Sequence, residues 1–281
     1  MELSLSIESF PLSAETAGDM LRLLDGLETD YRTVTGAAVW RSDDARGFAV
    51  LAYTDKGELK GFATAIDIVN MHHYEWSAVV APDLRRLGIG KALAEGIHHG
   101  LEQRGAEGAL AACIEEDGTD EFLDSLGYVS EFKEMQLRAK PRPDFSLPAG
   151  VIVAPAEGED GADEAAHVLA AAFDDDILPV LAHNIADSAR LVWLMKAEER
   201  TVASATTFTE DDCLWITALG THPEARGNGY GEAFLHWSRK LAADLGLSGV
   251  MLDVETDNDA IRLYERAGFL PVETVAYWRR Q

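Results

Sequence analysis

The chain has 281 residues, 47% of them apolar, and carries 49 acidic against 24 basic side chains for a formal charge of −25. That apolar share supports real cores and excludes wholesale disorder, and the negative charge excludes nucleic acid and anionic membrane as partners. With no apolar run of about 18 residues and no basic-then-apolar leader in "MELSLSIESF", neither a membrane span nor a secretory signal is expected. Cys113 and Cys213 read as reduced thiols of a cytoplasmic protein.

In chain order, "GFAVLAYTDKGELKGFATAID" (47–67) reads as a hairpin and "YEWSAVVAP" (74–82) as a strand. A glycine-containing turn follows, then a helix with Leu93, Ile97 and Leu101 on one face. "GALAACIE" (108–115) and "GYVSEFKEMQLRA" (127–139) are further strands. "RAKPRPDFSLPAG" (138–150) holds three of the nine prolines and reads as a semi-rigid linker. "GVIVAPA" then suggests a strand, and "ADEAAHVLAAAF" a helix burying Ala165, Val168, Leu169 and Phe173. A hairpin turning at Glu198–Arg200 is followed by the strand "CLWITALGTH" and a second glycine turn. Phe234, Trp237, Leu241 and Leu245 mark a helix face, "GVMLDVE" a buried strand, and Asp259–Ala267 a short helix ended by Gly268. "FLPVETVAYW" supplies one or two last strands.

The two glycine turns are the same turn. In "VAPDLRRLGIGKAL" (80–93) and "THPEARGNGYGEAF" (221–234), Pro82, Arg85, Gly88 and Gly90 answer to Pro223, Arg226, Gly229 and Gly231 at a constant offset of 141 residues. Gly127 and Gly268 keep that offset in "FLDSLGY" and "LYERAGF". A tandem repeat follows, with one domain over 1–140 and a second over 150–281. Each copy is expected to be α/β (α+β), a mixed, mostly antiparallel sheet flanked by helices.

A strand entering a helix through such a turn leaves backbone N–H groups unpaired at the positive end of the helix dipole, which makes an anion site. Glycine lets a phosphate approach without a Cβ in the way. Arg226 and Arg85 stand just ahead of each turn, able to add charge-assisted contacts. The spacing fits neither the Walker loop, since Lys91 is followed by Ala92, nor the dinucleotide fingerprint.

Pro-x-x-Arg-x-x-Gly-x-Gly before a helix resembles the acyl-CoA pyrophosphate motif of the GNAT superfamily of N-acetyltransferases. "NDAIRLYERAGF" (258–269) resembles the second motif of that family, and the duplicated layout resembles its tandem, mycothiol synthase type. The resemblance implies acetyl transfer from acetyl-CoA, as co-substrate, directly to a primary amine of a small molecule or peptide. It implies a cofactor cradle at Arg226, Gly227, Asn228, Gly229, Tyr230 and Gly231, and an oxyanion donor in Leu219, Gly220 and Thr221. Asn258 matches the residue contacting the CoA arm, and Tyr264 the acid that protonates the leaving thiolate. In the first copy Arg85, Arg86, Gly88, Ile89, Gly90 and Lys91 keep the cradle, but Leu123 and Asp117 stand where Tyr264 and Asn258 are expected. That copy is therefore expected to be degenerate and the second catalytic. The alternative is an acyl-CoA-binding or sensing protein that transfers nothing.

No metal is expected. The pairs His72–His73 and His98–His99 point apart as neighbours and read as solvated or capping, whereas His222 lies near the presumed acyl site. The "DDDILP" run (174–179) is a solvated loop or a receiver for a cationic amine. Trp193, Trp215, Phe208 and Tyr277 read as core or pocket wall, and no carboxylate in "CLWITALG" supplies the general base.

Overall fold

The strands are apolar at nearly every position, a pattern that requires cover on both faces of a sheet. A computed structural model describes residues 3–67, 72–115, 118–173 and 177–281; Asp117 and the acidic residues 174–176 lie outside the described residues. The elements are β1 (Leu3–Ser9), α1 (Ala14–Asp25), α2 (Arg32–Thr35), β2 (Gly47–Thr54), β3 (Leu59–Asp67), β4 (His73–Val80), α3 (Ile89–Gln103), β5 (Gly108–Ile114), α4 (Thr119–Ser125) and β6 (Tyr128–Ala139). They continue as β7 (Val151–Pro155), α5 (Gly158–Phe173), α6 (Ile177–Ala186), β8 (Leu191–Ala197), β9 (Arg200–Glu210), β10 (Cys213–Thr221), α7 (Tyr230–Asp244), β11 (Gly249–Glu255), α8 (Ile261–Arg266) and β12 (Leu270–Arg280).

Two compact units result, residues 1–133 with 274–281, and residues 134–273. In the first unit the strand order is β1-β2-β3-β4-β5-β12. Only β4 and β5 run parallel there. In the second the order is β6-β11-β10-β9-β8-β7 with β10 and β11 parallel. The units thus differ from a cut at the proline-rich segment, because each takes its last strand from the other half of the chain. Val250–Glu255 of β11 pair with Glu134–Ala139 of β6, and Val275–Arg279 of β12 pair with Leu110–Ile114 of β5. Tyr277 accordingly stacks on Phe132 in the first unit, away from Trp193, Trp215 and Phe208.

Each sheet is covered on both sides. In the first unit α3 packs Leu93 and Ile97 against Phe48, Val50 and Trp76, while α1 sets Met20 and Leu24 on Leu51 and Phe62. In the second, α7 places Phe234 and Leu235 on Val250 and Leu252, and α5 and α6 place Leu169 and Leu181 on Val192 and Leu194. Two helix faces are rotated from the sequence expectation: Leu245 is 56% exposed and Phe173 44%. Leu245 falls at the C-cap of α7 and Phe173 at the last residue of α5, where the turn no longer faces the sheet. The proline-rich segment is anchored to α7: the Arg142 N–H donates to the Arg239 carbonyl (2.9 Å) and Arg239 Nε to the Lys140 carbonyl (2.7 Å). No helix among the described residues is long and apolar enough to cross a membrane.

Candidate active site

In the second unit β10 and β11 hydrogen-bond only from Cys213↔Gly249 to Trp215↔Met251, and beyond that point the two parallel strands part. Just there β10 carries a bulge. Its register against β9 shifts between Thr217 and Gly220, so that Ala218 and Leu219 together stand opposite Ala205. Ala218 takes φ 50°, a left-handed conformation costly for a residue with a Cβ. A bulge leaves the extra residue out of the ladder and re-aims its neighbours, and Gly220 and Thr221 then rejoin the ladder opposite Ser204 and Ala203. Gly220 is needed for close packing: a Cβ there would lie 2.9 Å from both Leu169 and Phe173. The first unit lacks this device, for β3 and β4 keep one register from Gly61↔Val80 to Asp67↔Tyr74.

The glycine turn follows. Gly227 (φ 81°) and Gly229 (φ 80°) are left-handed, and no atom lies within 4 Å of where a Cβ would project from either. No side chain caps α7, and its first helical bond runs from the Ala233 N–H to the Gly229 carbonyl (2.9 Å). The amides of Tyr230, Gly231 and Glu232 therefore open the helix without an intrahelical acceptor, beneath an uncovered surface. A diphosphate fits such a place, since its oxygens need donors and room rather than shape. Gly231 marks where the elements converge: a Cβ there would lie 3.3 Å from Leu263 Cδ2 and 3.4 Å from Thr221 Oγ1.

Side chains around the turn also hold its shape. Arg226 Nε donates to the Thr221 carbonyl and Nη2 to the Ala172 carbonyl, both at 3.3 Å, so the guanidinium buttresses the turn. Asn228 Nδ2 braces it through the carbonyls of Ala225 (3.1 Å) and Arg226 (3.4 Å). Asn258 Oδ1 accepts from the Ala260 N–H at 2.8 Å, a turn bond two residues on, and the exposed side chain stands before α8, which no side chain caps. Tyr230, Leu219 and Tyr264 all pack against the α7-side core. The Tyr264 ring meets Phe269 edge-on at 6.3 Å, burial pushes its phenol above the usual value, and its hydroxyl has no hydrogen-bond partner among the described residues. His222 Nδ1 accepts from the Glu224 N–H (3.3 Å) and its ring stacks on His167 at 5.3 Å, and both rings line a cleft shared with Asn228 and Tyr230 of the turn.

The first unit repeats the turn. Arg85 Nε donates to the Val80 carbonyl (3.2 Å), matching Arg226. Arg86 is left-handed (φ 64°) where the second unit has Gly227, and it lies 4.0 Å from Glu121. Gly88 (φ 85°) opens α3 uncapped, Ile89 turns into the core, and Gly90 approaches the Phe122 ring. A cleft of about 340 Å³ lies between the parting β4 and β5, lined by Arg86, Gly88, Lys91, Cys113 and Phe122. Leu123, buried there, offers no proton.

The histidine pairs are otherwise engaged. His98 Nε2 lies 2.7 Å from the Tyr128 hydroxyl, which also accepts from Trp76 Nε1 at 3.1 Å, and burial lowers the His98 pKa. His99 pairs with Gln103. Cys113 and Cys213 are both free thiols, and burial pushes Cys113 up to about 12, so it is no nucleophile. Two features escaped the sequence reading. Nothing in an alanine signals the left-handed Ala218, but Asp253, a carboxylate inside the apolar run of β11, was visible in "GVMLDVE".

Comparison with known proteins agrees with this geometry. The model of the acetyltransferase (GNAT) family matches residues 19–128 and 160–269, two spans displaced by the repeat offset (160 − 19 and 269 − 128, both 141). A mycothiol acetyltransferase from Geodermatophilus obscurus is 30% identical over 96% of this chain and 92% of its own. A GCN5-related N-acetyltransferase from Sphaerobacter thermophilus superposes with a TM-score of 0.76 at 17% identity, over 98% of this chain and 95% of that one. A tandem GNAT protein from the clavulanic acid biosynthesis pathway does so at 0.68 and 14% identity, over 99% and 98%. With two family matches covering most of its length on a duplicated fold, the chain belongs to the GNAT family of acetyltransferases.

Proposed function

We propose that the chain is an acetyl-CoA-dependent N-acetyltransferase whose second unit moves the acetyl group directly to a primary amine of a small molecule or peptide. The diphosphate of the co-substrate is held by the amides opening α7, and Gly227, Gly229 and Gly231 give it room. The thioester then lies in the parting between β10 and β11. Attack by the amine produces a tetrahedral oxyanion, and main-chain donors fixed by the bulge at Ala218–Leu219 meet that charge, the kind of contact that lowers such barriers most. Tyr264, a phenol neutral at neutral pH whose pKa burial raises further, gives its proton to the departing thiolate. Two unpaired thiols suit work in the reducing cytoplasm.

The observation that carries this reading is the asymmetry between the copies. Both keep the uncapped glycine turn, but only the second has the bulge and a phenol. The first unit, with its cleft and Leu123, is read as an acyl-CoA-binding site without transfer. The curated relatives named for mycothiol make cysteine-derived amines the first acceptors to try.

The deciding experiment is thiol release from acetyl-CoA with a panel of primary amines, run beside direct measurement of cofactor binding. Turnover that is lost in Tyr264→Phe while binding persists supports the reading. Tight binding with no turnover on any amine leaves a sensing protein instead.

A further inference from the structure

We propose that Asp253 is the general base that takes the proton from the acceptor amine. The inference rests on reading the second unit as the transfer centre, and it fills a role for which β10 offers no carboxylate.

The placement follows from strand periodicity. Val250 and Leu252 of β11, with Leu214 and Ile216 of β10, face the core beneath α7. Cys213, Trp215 and Met251 face the other way and form a separate apolar cluster with Phe208. Trp215↔Met251 is the last paired position before the strands part. Two residues further on, Thr217 and Asp253 are the first side chains of that second face beyond the split. They flank the opening in which the thioester is proposed to lie, on the side away from α7 and its glycine turn. An acceptor has to come from that side, because the co-substrate occupies the other. Two further features mark the spot as built to receive a polar group. Thr217 Oγ1 is buried without a hydrogen-bond partner, next to the bulge, and Asp253 keeps a solvent-open edge. The stacked rings of Phe208 and Trp215, 6.1 Å apart, wall the same face.

The surroundings tune the group. Asp253 is exposed at its surface, yet the protein packed beside its carboxyl, followed by the charges of Glu134 on β6 and Glu210 at the end of β9, pushes it up to about 7. Glu210 is itself raised by burial and by Asp211, with Arg190 opposing. A base in this range matches the working pH.

The proton count closes. The Asp253 carboxylate takes one proton from the ammonium form of the acceptor. The freed nitrogen pair forms the C–N bond as the carbonyl π pair moves to oxygen. When the carbonyl reforms, the C–S bond breaks and sulfur takes the proton of Tyr264. The nitrogen's second proton restores Tyr264, and Asp253 returns its own to water, so one proton is released per amide formed.

The test uses the full chain with acetyl-CoA and a panel of primary amines headed by cysteinamide, with product read by mass. In parallel, the aspartate carboxyl carbons are titrated by NMR. In the wild type, one carboxyl resonance absent from Asp253→Asn should titrate near 7. Asp253→Asn should lose roughly 100-fold in kcat/KM at neutral pH and lose the rise of the profile with that midpoint. It should keep acetyl-CoA affinity within about twofold, and Asp253→Glu should restore part of the rise. The proposal is overturned if Asp253→Asn keeps the rate within about threefold and the same rise, or if the carboxyl titrates near 4. A wild type that neither binds nor consumes acetyl-CoA overturns the reading of the second unit, and the base falls with it. Intact binding and turnover with an unmoved profile overturn the base alone.

Discussion

Tyr264 and Asp253 are tuned in the same direction, both pKa values being raised, and the proposed mechanism gives them opposite uses. A raised phenol stays protonated as an acid, while a raised carboxylate near 7 becomes a competent base. Tyr264→Phe is expected to lower kcat roughly 100-fold with acetyl-CoA affinity unchanged, measured by single-turnover kinetics and calorimetry. Changes at Leu123 should leave kcat where it is. Asp253 also makes a stability prediction. Its folded carboxyl lies above the unfolded value, so its favourable contribution is whole below about 4. That contribution is lost as pH rises through about 7. Asp253→Asn, which cannot ionise, should therefore melt above the wild type at pH 8, and the gap should close at acid pH. A variant that is less active yet more heat-resistant is the signature of a side chain kept for chemistry rather than for folding.

Among the elements, the turn from β10 into α7 is the one proposed to hold the co-substrate. Valine at Gly229 faces a left-handed backbone, worth about 1–2 kcal/mol, and sets a branched side chain over the opening amides. Gly229→Val should abolish turnover and weaken acetyl-CoA binding at the second unit by more than tenfold. Gly88→Val should remove binding only at the first unit and spare turnover; equal loss of activity from both variants would mean the first site takes part. These turns were legible because the chemistry of the phosphate cradle is written in glycine spacing. The hairpin at Glu198–Arg200 was legible for a similar reason: two residues must turn, and Glu198 and Glu199 do so with positive φ. The bulge was not legible. Ala218 is left-handed by the demand of its surroundings, with Leu169, Ala172 and Phe173 pressing on Gly220, and no local propensity records that pressure. Arg226 shows a duty that spacing does not record: an arginine beside an anion site suggests a ligand, and its guanidinium also braces two carbonyls.

At the level of the whole chain, the repeat period foretold two copies but not their exchange of strands. Nothing in the alternation of "FKEMQLRA" says which sheet receives it; pairing with β11 is decided by partners far away in sequence. The exchange has a measurable cost when ignored. Leu137 and Ala139 of β6 are part of the core under α7, and Leu137 is 1% exposed. A fragment 150–281 lacks both and leaves the edge of β11 unpaired, so it should fail to give a cooperative melt by circular dichroism. A fragment 134–273, which spans the whole second unit, should melt cooperatively. In the full chain, Leu137→Ala should destabilise the second unit by about 2–5 kcal/mol, read from denaturant unfolding.

The shared strands also tie the fates of the two copies together. Residues 134–139 belong by descent to the half that carries Leu123, yet they complete the sheet on which Tyr264 and Asp253 depend. Selection on one half thereby protects the tail of the other, and a lineage that trimmed its first copy at the proline-rich segment would damage the second as well.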